Sequence, residues 1–245
     1  PIKKETTAKK KTHPLKTIKI LCRNKYFILI TLAFAVIYTS LGLTGGSRIY
    51  YAKYVLGDEM LNSTMTMFNY IPTILTIMLI PVFTKRFGKI KALFVGFLFY
   101  AAGLVLEIAG PVNLPMIYTG LVLQGIGHAA LYSCLFAIVG DVVDYSEWKD
   151  GIREEGITYS VTSFGQKIGT GLGTAAFGWI LAAGHYDGTA AVQSASAIFA
   201  IKGLFLYLPL VITVIVLIIW YLFMGIDKIY PTVRKELDER REKAE

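Results

Sequence analysis

The stretch LFLYLPLVITVIVLIIWYLFM, Leu204 to Met224, runs 21 residues without a charge. As a helix rising about 1.5 Å per residue it is about 30 Å long, which matches the hydrocarbon core of a bilayer. Five more apolar segments precede it. They run from Tyr26 to Thr44, Ser63 to Phe83, Ala92 to Ala109, Pro115 to Val143 and Ile157 to Ala183. The fourth and fifth are longer and more polar than a lipid-facing helix, so they read as helices buried in a bundle and lining something. The expected fold is an all-α membrane protein with six transmembrane helices.

Composition agrees. The chain has 245 residues, 54% hydrophobic, 13% aromatic and 17% charged, against about 25% charged in a soluble domain. Mean hydropathy is +0.54. A soluble globular domain and a disordered chain are both excluded. Two cysteines, Cys22 and Cys134, rule out a disulfide framework. His13, His128 and His185 lie far apart and form no ligand pair at metal spacing, so no metal site is expected.

The net charge is +8, concentrated at the start, where Lys3, Lys4, Lys9, Lys10, Lys11, Lys16, Lys19, Arg23 and Lys25 face Glu5 alone. A basic arm can bind nucleic acid. Beside a long apolar chain it marks instead the cytoplasmic flank of a span, and no nucleic-acid partner is expected. It is too long for a signal peptide, and several apolar segments follow. The chain thus divides into a basic arm over residues 1–25, a transmembrane bundle over 26–228 and a tail over 229–245. Lys85, Arg86, Lys89 and Lys91 follow the second span, Lys149 and Arg153 the fourth, and Lys228, Arg234 and Lys235 the sixth. The alternate loops are poorer in base, with Arg48 and Lys53 after the first span and Lys202 before the sixth. The positive-inside rule then places both termini in the cytoplasm. Pro111 to Pro115 reads as a short external turn and Asp150-Gly151 as an internal one. Residues 185–201 read as an external loop with room for a short surface helix, and Arg234 to Glu245 as a solvated tail.

Lys167 sits near the middle of the fifth span, where a charge costs about 2.5–3.5 kcal/mol on insertion scales. Such a residue marks a transport pathway or a structural ion pair. Ser160, Ser163, Lys167, Thr170 and Thr174 share one helix face. Gln124, His128 and Tyr132 share a face of the fourth span, and Asn62, Thr66, Asn69 and Thr73 a face of the second. Each stripe alone fits interhelical hydrogen bonding. Three together point to a lined cavity whose hydroxyls, amides and aromatic rings suit a polyhydroxylated solute. His128 reads equally as a core histidine. Gly165, Gly169 and Gly173, with Gly171 among them, follow no strand, so they mark close helix packing rather than a nucleotide loop. At the inner end of the fourth span Asp141, Asp144 and Glu147 share a face. With Arg153 and the Lys85 and Arg86 loop, they are expected to form ion pairs that close the cytoplasmic side in one state and break in the other.

Several stretches resemble the glycoside–pentoside–hexuronide:cation symporters, melibiose-permease-like members of the major facilitator superfamily. They are Asp141-Val-Val-Asp-Tyr-Ser-Glu-Trp-Lys149, Glu155-Gly-Ile-Thr-Tyr-Ser160 and Gln166-Lys-Ile-Gly169, supported by Tyr50 to Gly57, Pro81 to Lys89, Gln193-Ser-Ala-Ser196, Ile201-Lys202 and Pro209. The resemblance covers nearly the whole chain beyond about residue 20. It implies that the six spans are the C-terminal half of a twelve-helix fold, with the basic arm as the cytoplasmic link between halves. It implies that Lys167 corresponds to the family's lysine in the eleventh helix, beside the sugar and cation sites, and Ser163 to the hydroxyl one turn earlier. Tyr132 falls where the melibiose carriers have a sugar-contacting tryptophan. The family's cation-binding acids lie in the N-terminal half, and Glu107, near the outer end of the third span, is a poor substitute.

The expected function is secondary transport of a sugar or glycoside, coupled to Na⁺ or H⁺, at the cell membrane. Its partners are the solute, the cation, the lipid bilayer and an N-terminal six-helix half. No cofactor beyond the cation is expected. The expected substrate-binding residues are Lys167, Ser163, Tyr132, His128, Gln124, Thr170 and Asn69. The chain begins at Pro1 rather than Met, so a fragment or a split half is expected. The alternative is a non-transporting membrane sensor, or a degenerate half that packs with a partner. No nucleophile–base pair or metal cluster supports an enzyme.

Overall fold

The computed structural model describes residues 20–151 and 153–243. Most of the basic arm, residues 1–19, and the last two residues of the tail lie outside them. The described residues are helical, with no strand among them. In chain order the helices are α1 (Lys25–Thr44), α2 (Ser47–Tyr54), α3 (Leu61–Ile77), α4 (Ile80–Phe87), α5 (Lys89–Ala109), α6 (Leu114–Asp150), α7 (Glu155–Ala183), α8 (Ala195–Lys202), α9 (Leu208–Phe223) and α10 (Gly225–Glu242). Four stretches are long and apolar enough to cross a membrane: Lys25–Tyr54, Lys89–Ala109, Leu114–Asp150 and Ala195–Phe223. The pair α3 and α4 makes a fifth when taken as one span bent by 55°. The fifth expected span corresponds to α7, which is 29 residues long but too rich in Ser, Thr and Gly to join that apolar class. With several apolar helices, this is a multi-pass membrane protein.

Prolines and caps set the boundaries. The Pro81 ring clashes with the carbonyl of Ile77, four residues back, and that is where α3 ends and the bend begins. Pro209 acts similarly on Phe205. The helix widens into a π turn over Gly203–Tyr207, with Leu208 N–H bonded to the Gly203 carbonyl. Asn113 caps α6, its side chain accepting from Met116 N–H at 3.3 Å. Gly151 ends α6 in the left-handed region, with φ of 66°. Both expected turns are therefore real.

Two readings are refined. The short helix allowed for within 185–201 forms from Ala195 onward, but it is no surface helix: Ala197, Ala200 and Ile201 bury against the bundle and extend the last span. The solvated tail is instead the docked helix α10. Its Ile226, Val233 and Leu237 are buried, which the mixed charges of the tail conceal.

The helices associate mainly as pairs, α1 with α7, α5 with α6 and α3 with α6. In lipid the hydrophobic effect does not drive helices together, so small residues and close contact must. A Cβ on Gly42 of α1 would meet the Thr170 carbonyl oxygen of α7 at 2.6 Å, and Gly169 and Gly173 approach the α1 backbone just as closely. The expected packing role of these glycines is borne out. Gly96 and Gly127 play the same part between α5 and α6. One apolar cluster gathers Tyr26, Phe34, Leu93, Trp220 and Phe223, and a second gathers Tyr51, Met65, Leu121, Leu204 and Phe205 toward the opposite end. The space described next adjoins the second cluster at Phe205.

Candidate solute cavity and charged end

A cavity of about 410 Å³ lies where α1, α2, α3, α5 and α6 converge, within the roughly 300–1,000 Å³ range of ligand pockets. Asn62, Thr66, Asn69 and Tyr70 line it from α3, and Gln124, His128 and Tyr132 from α6. Arg48 enters from α2 and Tyr100 from α5. Two of the three polar stripes read from the sequence thus meet on one space. Asn69 also donates to the Leu121 carbonyl at 3.2 Å, and Thr73 to the Gly125 carbonyl at 3.0 Å. These bonds fix α3 against α6, so the stripe serves packing at its buried edge and lines the cavity at its open edge. Tyr100 and His128 have ring centroids 4.9 Å apart, and His128 and Tyr132 are stacked at 5.7 Å. Together they form an aromatic wall, and Tyr132 is half-exposed toward the cavity.

The third stripe does not reach this space. Ser160, Lys167, Thr170 and Thr174 lie on the exposed face of α7, with Ser163 at its margin. Thr170 and Thr174 return their hydroxyl hydrogens to carbonyls of their own helix, at 3.0 and 2.9 Å. Lys167 forms neither a hydrogen bond nor an ion pair among the described residues. The cause is geometric. The glycine row occupies the opposite face of α7, and docking that row on α1 turns the Lys167 face away from the bundle.

Sequence reasoning missed Arg48, Tyr70 and Tyr100, and set Glu107 aside as a poor substitute for a cation-binding acid. Arg48 was assigned to a loop, whereas α2 continues the first span and carries the guanidinium inward. Arg48 Nη1 donates to Thr66 Oγ1 at 3.3 Å. Glu107 is fully buried, with Oε1 accepting from Gln124 Nε2 at 2.7 Å. A three-residue step from Tyr100 to Gly103 and a four-residue step to Glu107 place these residues on one face of α5, which was the available signal.

At the far end of the bundle the acids of α6 are paired. Lys89 donates to both oxygens of Asp141, at 2.6 and 2.8 Å. Asp144 accepts from Arg153 at 2.9 Å and from the Tyr230 hydroxyl at 2.9 Å, with Arg234 at 3.4 Å. Glu147 pairs with Arg153 at 2.5 Å and with Arg241 at 3.0 Å. Burial would lower Arg153, but its bonds to Glu147, Asp144 and Glu155 outweigh this and hold the guanidinium above its ordinary value. Lys85 and Arg86 stay exposed on α4 and join none of these pairs among the described residues. Their expected place is taken by Lys89 and by the arginines of α10.

Comparison with known proteins bears on what this arrangement is for. The family model described as MFS/sugar transport protein matches residues 1–228. The chain is 31% identical to an isoprimeverose transporter of Lactiplantibacillus pentosus, over 96% of this chain and 49% of that protein. It is 26% identical to a glucuronide carrier protein homolog of Escherichia coli strain K12, over 92% of this chain and 50% of that protein. It is 25% identical to an uncharacterized symporter of Bacillus subtilis strain 168, over 91% and 49% respectively. The chain spans about half the length of these curated relatives. The chain therefore belongs to the MFS/sugar transport protein family, among the glycoside–pentoside–hexuronide symporters of the major facilitator superfamily, a family of transporters and not of enzymes.

Proposed function

We propose that this chain is the C-terminal, six-helix half of a secondary transporter that carries a sugar or glycoside together with Na⁺ or H⁺. The spans are α1 with α2, α3 with α4, α5, α6, α7, and α8 with α9. Residues 1–25 form the cytoplasmic link, 26–228 the bundle and 229–245 the cytoplasmic tail, in the cell membrane. The observation that carries the reading is the cavity, in which amides, hydroxyls and an aromatic wall converge inside an apolar bundle. Tyr132 and His128 stack on a sugar ring, while Asn69 and Gln124 offer amides to its hydroxyls. The names of the relatives, an isoprimeverose transporter and a glucuronide carrier homolog, support a glycoside.

The exposed face of α7 meets the N-terminal half, which supplies the cation-binding acids. Lys167, Ser163 and Thr170 then line the interface between halves, where solute binds in transporters built from repeats. The ion pairs of Asp141, Asp144 and Glu147 with Lys89, Arg153, Arg234 and Arg241 stabilise the cytoplasmic end in one state. Alternating access comes from rocking of the two halves. The test is uptake of radiolabelled isoprimeverose and a glucuronide by cells expressing the complete protein, with and without Na⁺ and pH gradients. Lys167→Ala should abolish coupled uptake while the protein still reaches the membrane folded. Normal coupled uptake in that variant would overturn the role of Lys167. No flux of any glycoside in the wild type would favour the non-transporting alternative.

A further inference from the structure

Glu107 occupies an unusual position. Its side chain is fully buried. Oε1 accepts one hydrogen bond, from the neutral amide of Gln124 at 2.7 Å. Oε2 is buried and has no hydrogen-bond partner among the described residues. No lysine, arginine or histidine nitrogen among them lies within 4.0 Å of either oxygen. The charged and titratable groups near it are Arg48 and Tyr51 from α2 and Tyr100 from its own helix. From α6 it faces Gln124 and the backbone of Gly120, with His128 one turn further along. Tyr51 already donates its hydroxyl to the Pro111 carbonyl. Arg48 gives Nη1 to Thr66 and keeps its buried Nε without a partner.

An ionised carboxylate here would be stripped of water with one neutral donor and no counter-ion, among the most costly arrangements in a protein interior. A carboxylate would also draw in the guanidinium of Arg48, and the two are not paired. A neutral carboxylic acid explains both facts. Oε1 accepts from Gln124, the proton resides on Oε2, and Arg48 remains free to face the cavity that Gln124 also lines. We propose that Glu107 is a proton-binding site in this half of the protein, protonated in this conformation, and that Arg48 is its counter-charge when the proton leaves. On deprotonation the Oε2–H bond breaks, the proton passes to water in the cavity, and the resulting carboxylate recruits Arg48 away from the cavity. Protonation thus releases a cation to the cavity, suited to an acidic group on the solute. Only that last link to solute rests on the transport function proposed above.

The test needs no solute. Infrared spectra of the purified complete protein in lipid should show at pH 7 a protonated-carboxyl C=O band that shifts in D₂O. Glu107→Gln should remove one such band. An identical band in that variant would overturn the site. Should Glu107→Gln fail to fold, Gln124→Leu serves instead, since losing the bond to Oε1 should shift the band, and an unshifted band would refute the assignment. In the wild type the band should titrate away in alkali. Arg48→Gln should move that loss to higher pH by about one unit or more, because a nearby cation favours the carboxylate. An unchanged titration would overturn the coupling to Arg48. These spectra stand whether or not any glycoside is carried.

Discussion

Gly42→Ala is expected to destabilise the α1–α7 pair by about 2–3 kcal/mol, although it adds a single methyl group. The new Cβ would lie 2.6 Å from the Thr170 carbonyl oxygen and 3.0 Å from Thr174 N, both backbone atoms that no rotamer change can move. Ordinary contact begins at 3.4 Å, so the helices must part by about 0.8 Å, a gap that forfeits a quarter to a half of each contact. At about 0.15 kcal/mol per atom pair, losing about a third of the value of each contact over several tens of pairs amounts to about 2–3 kcal/mol. This falls in the usual range for overpacking, about 1–3 kcal/mol. Lipid offers no compensating hydrophobic term between helices. The assay is reversible unfolding in mixed detergent–lipid micelles, followed by circular dichroism. Gly171→Ala on the partner helix α7 is the control, since a Cβ there meets nothing within 4 Å; it should stay within about 1 kcal/mol of wild type. Equal midpoints for Gly42→Ala and Gly171→Ala would refute the claim that backbone approach holds the pair together.

Asp227→Ala should cost about 1–2 kcal/mol, the range for a lost helix cap. Asp227 Oδ2 accepts from the N–H groups of Ile90 and Lys91, each at 3.1 Å, and so caps α5 from a different helix. A thermal shift measurement checks this, with Asp227→Asn expected to lose less. Leu237→Ala should loosen α10 by about 2–3 kcal/mol, because that side chain is 2% exposed against the bundle. Faster proteolysis of the tail, with the rest of the chain intact, is the expected readout; unchanged cleavage would mean that α10 docks through its ion pairs alone.

The sequence was most informative where a property is local. Asn113 and Gly151 act on their own few residues of backbone, so both of those turns could be placed in advance, whereas the bend before Pro81 was read as part of one unbroken span. The glycine row of α7 was legible because a four-residue step of hydrogen side chains has one good use inside an apolar helix. The same row explains where Lys167 points. Its stripe was correctly placed on one face, but whether this face joins the other two stripes within this bundle depends on which face α1 occupies. The mixed-charge tail failed for a related reason, since Val233 and Leu237 are a four-residue step that only matters once α6 is there to receive it.

The sequence alone determined that the chain is helical, crosses a membrane several times and carries polar faces on particular helices, because thirty ångströms of apolar residues and a helical period are one-dimensional properties. Only the tertiary structure decided that α3 and α6 share a cavity, that Arg48 belongs to it rather than to a loop, and that Glu107 is buried beside Gln124 with no counter-ion among the described residues. A charged residue near a span's end reads the same in sequence whether it points to water or into the bundle. Which of these holds is set by the helix it is pressed against, and that pairing depends on shape.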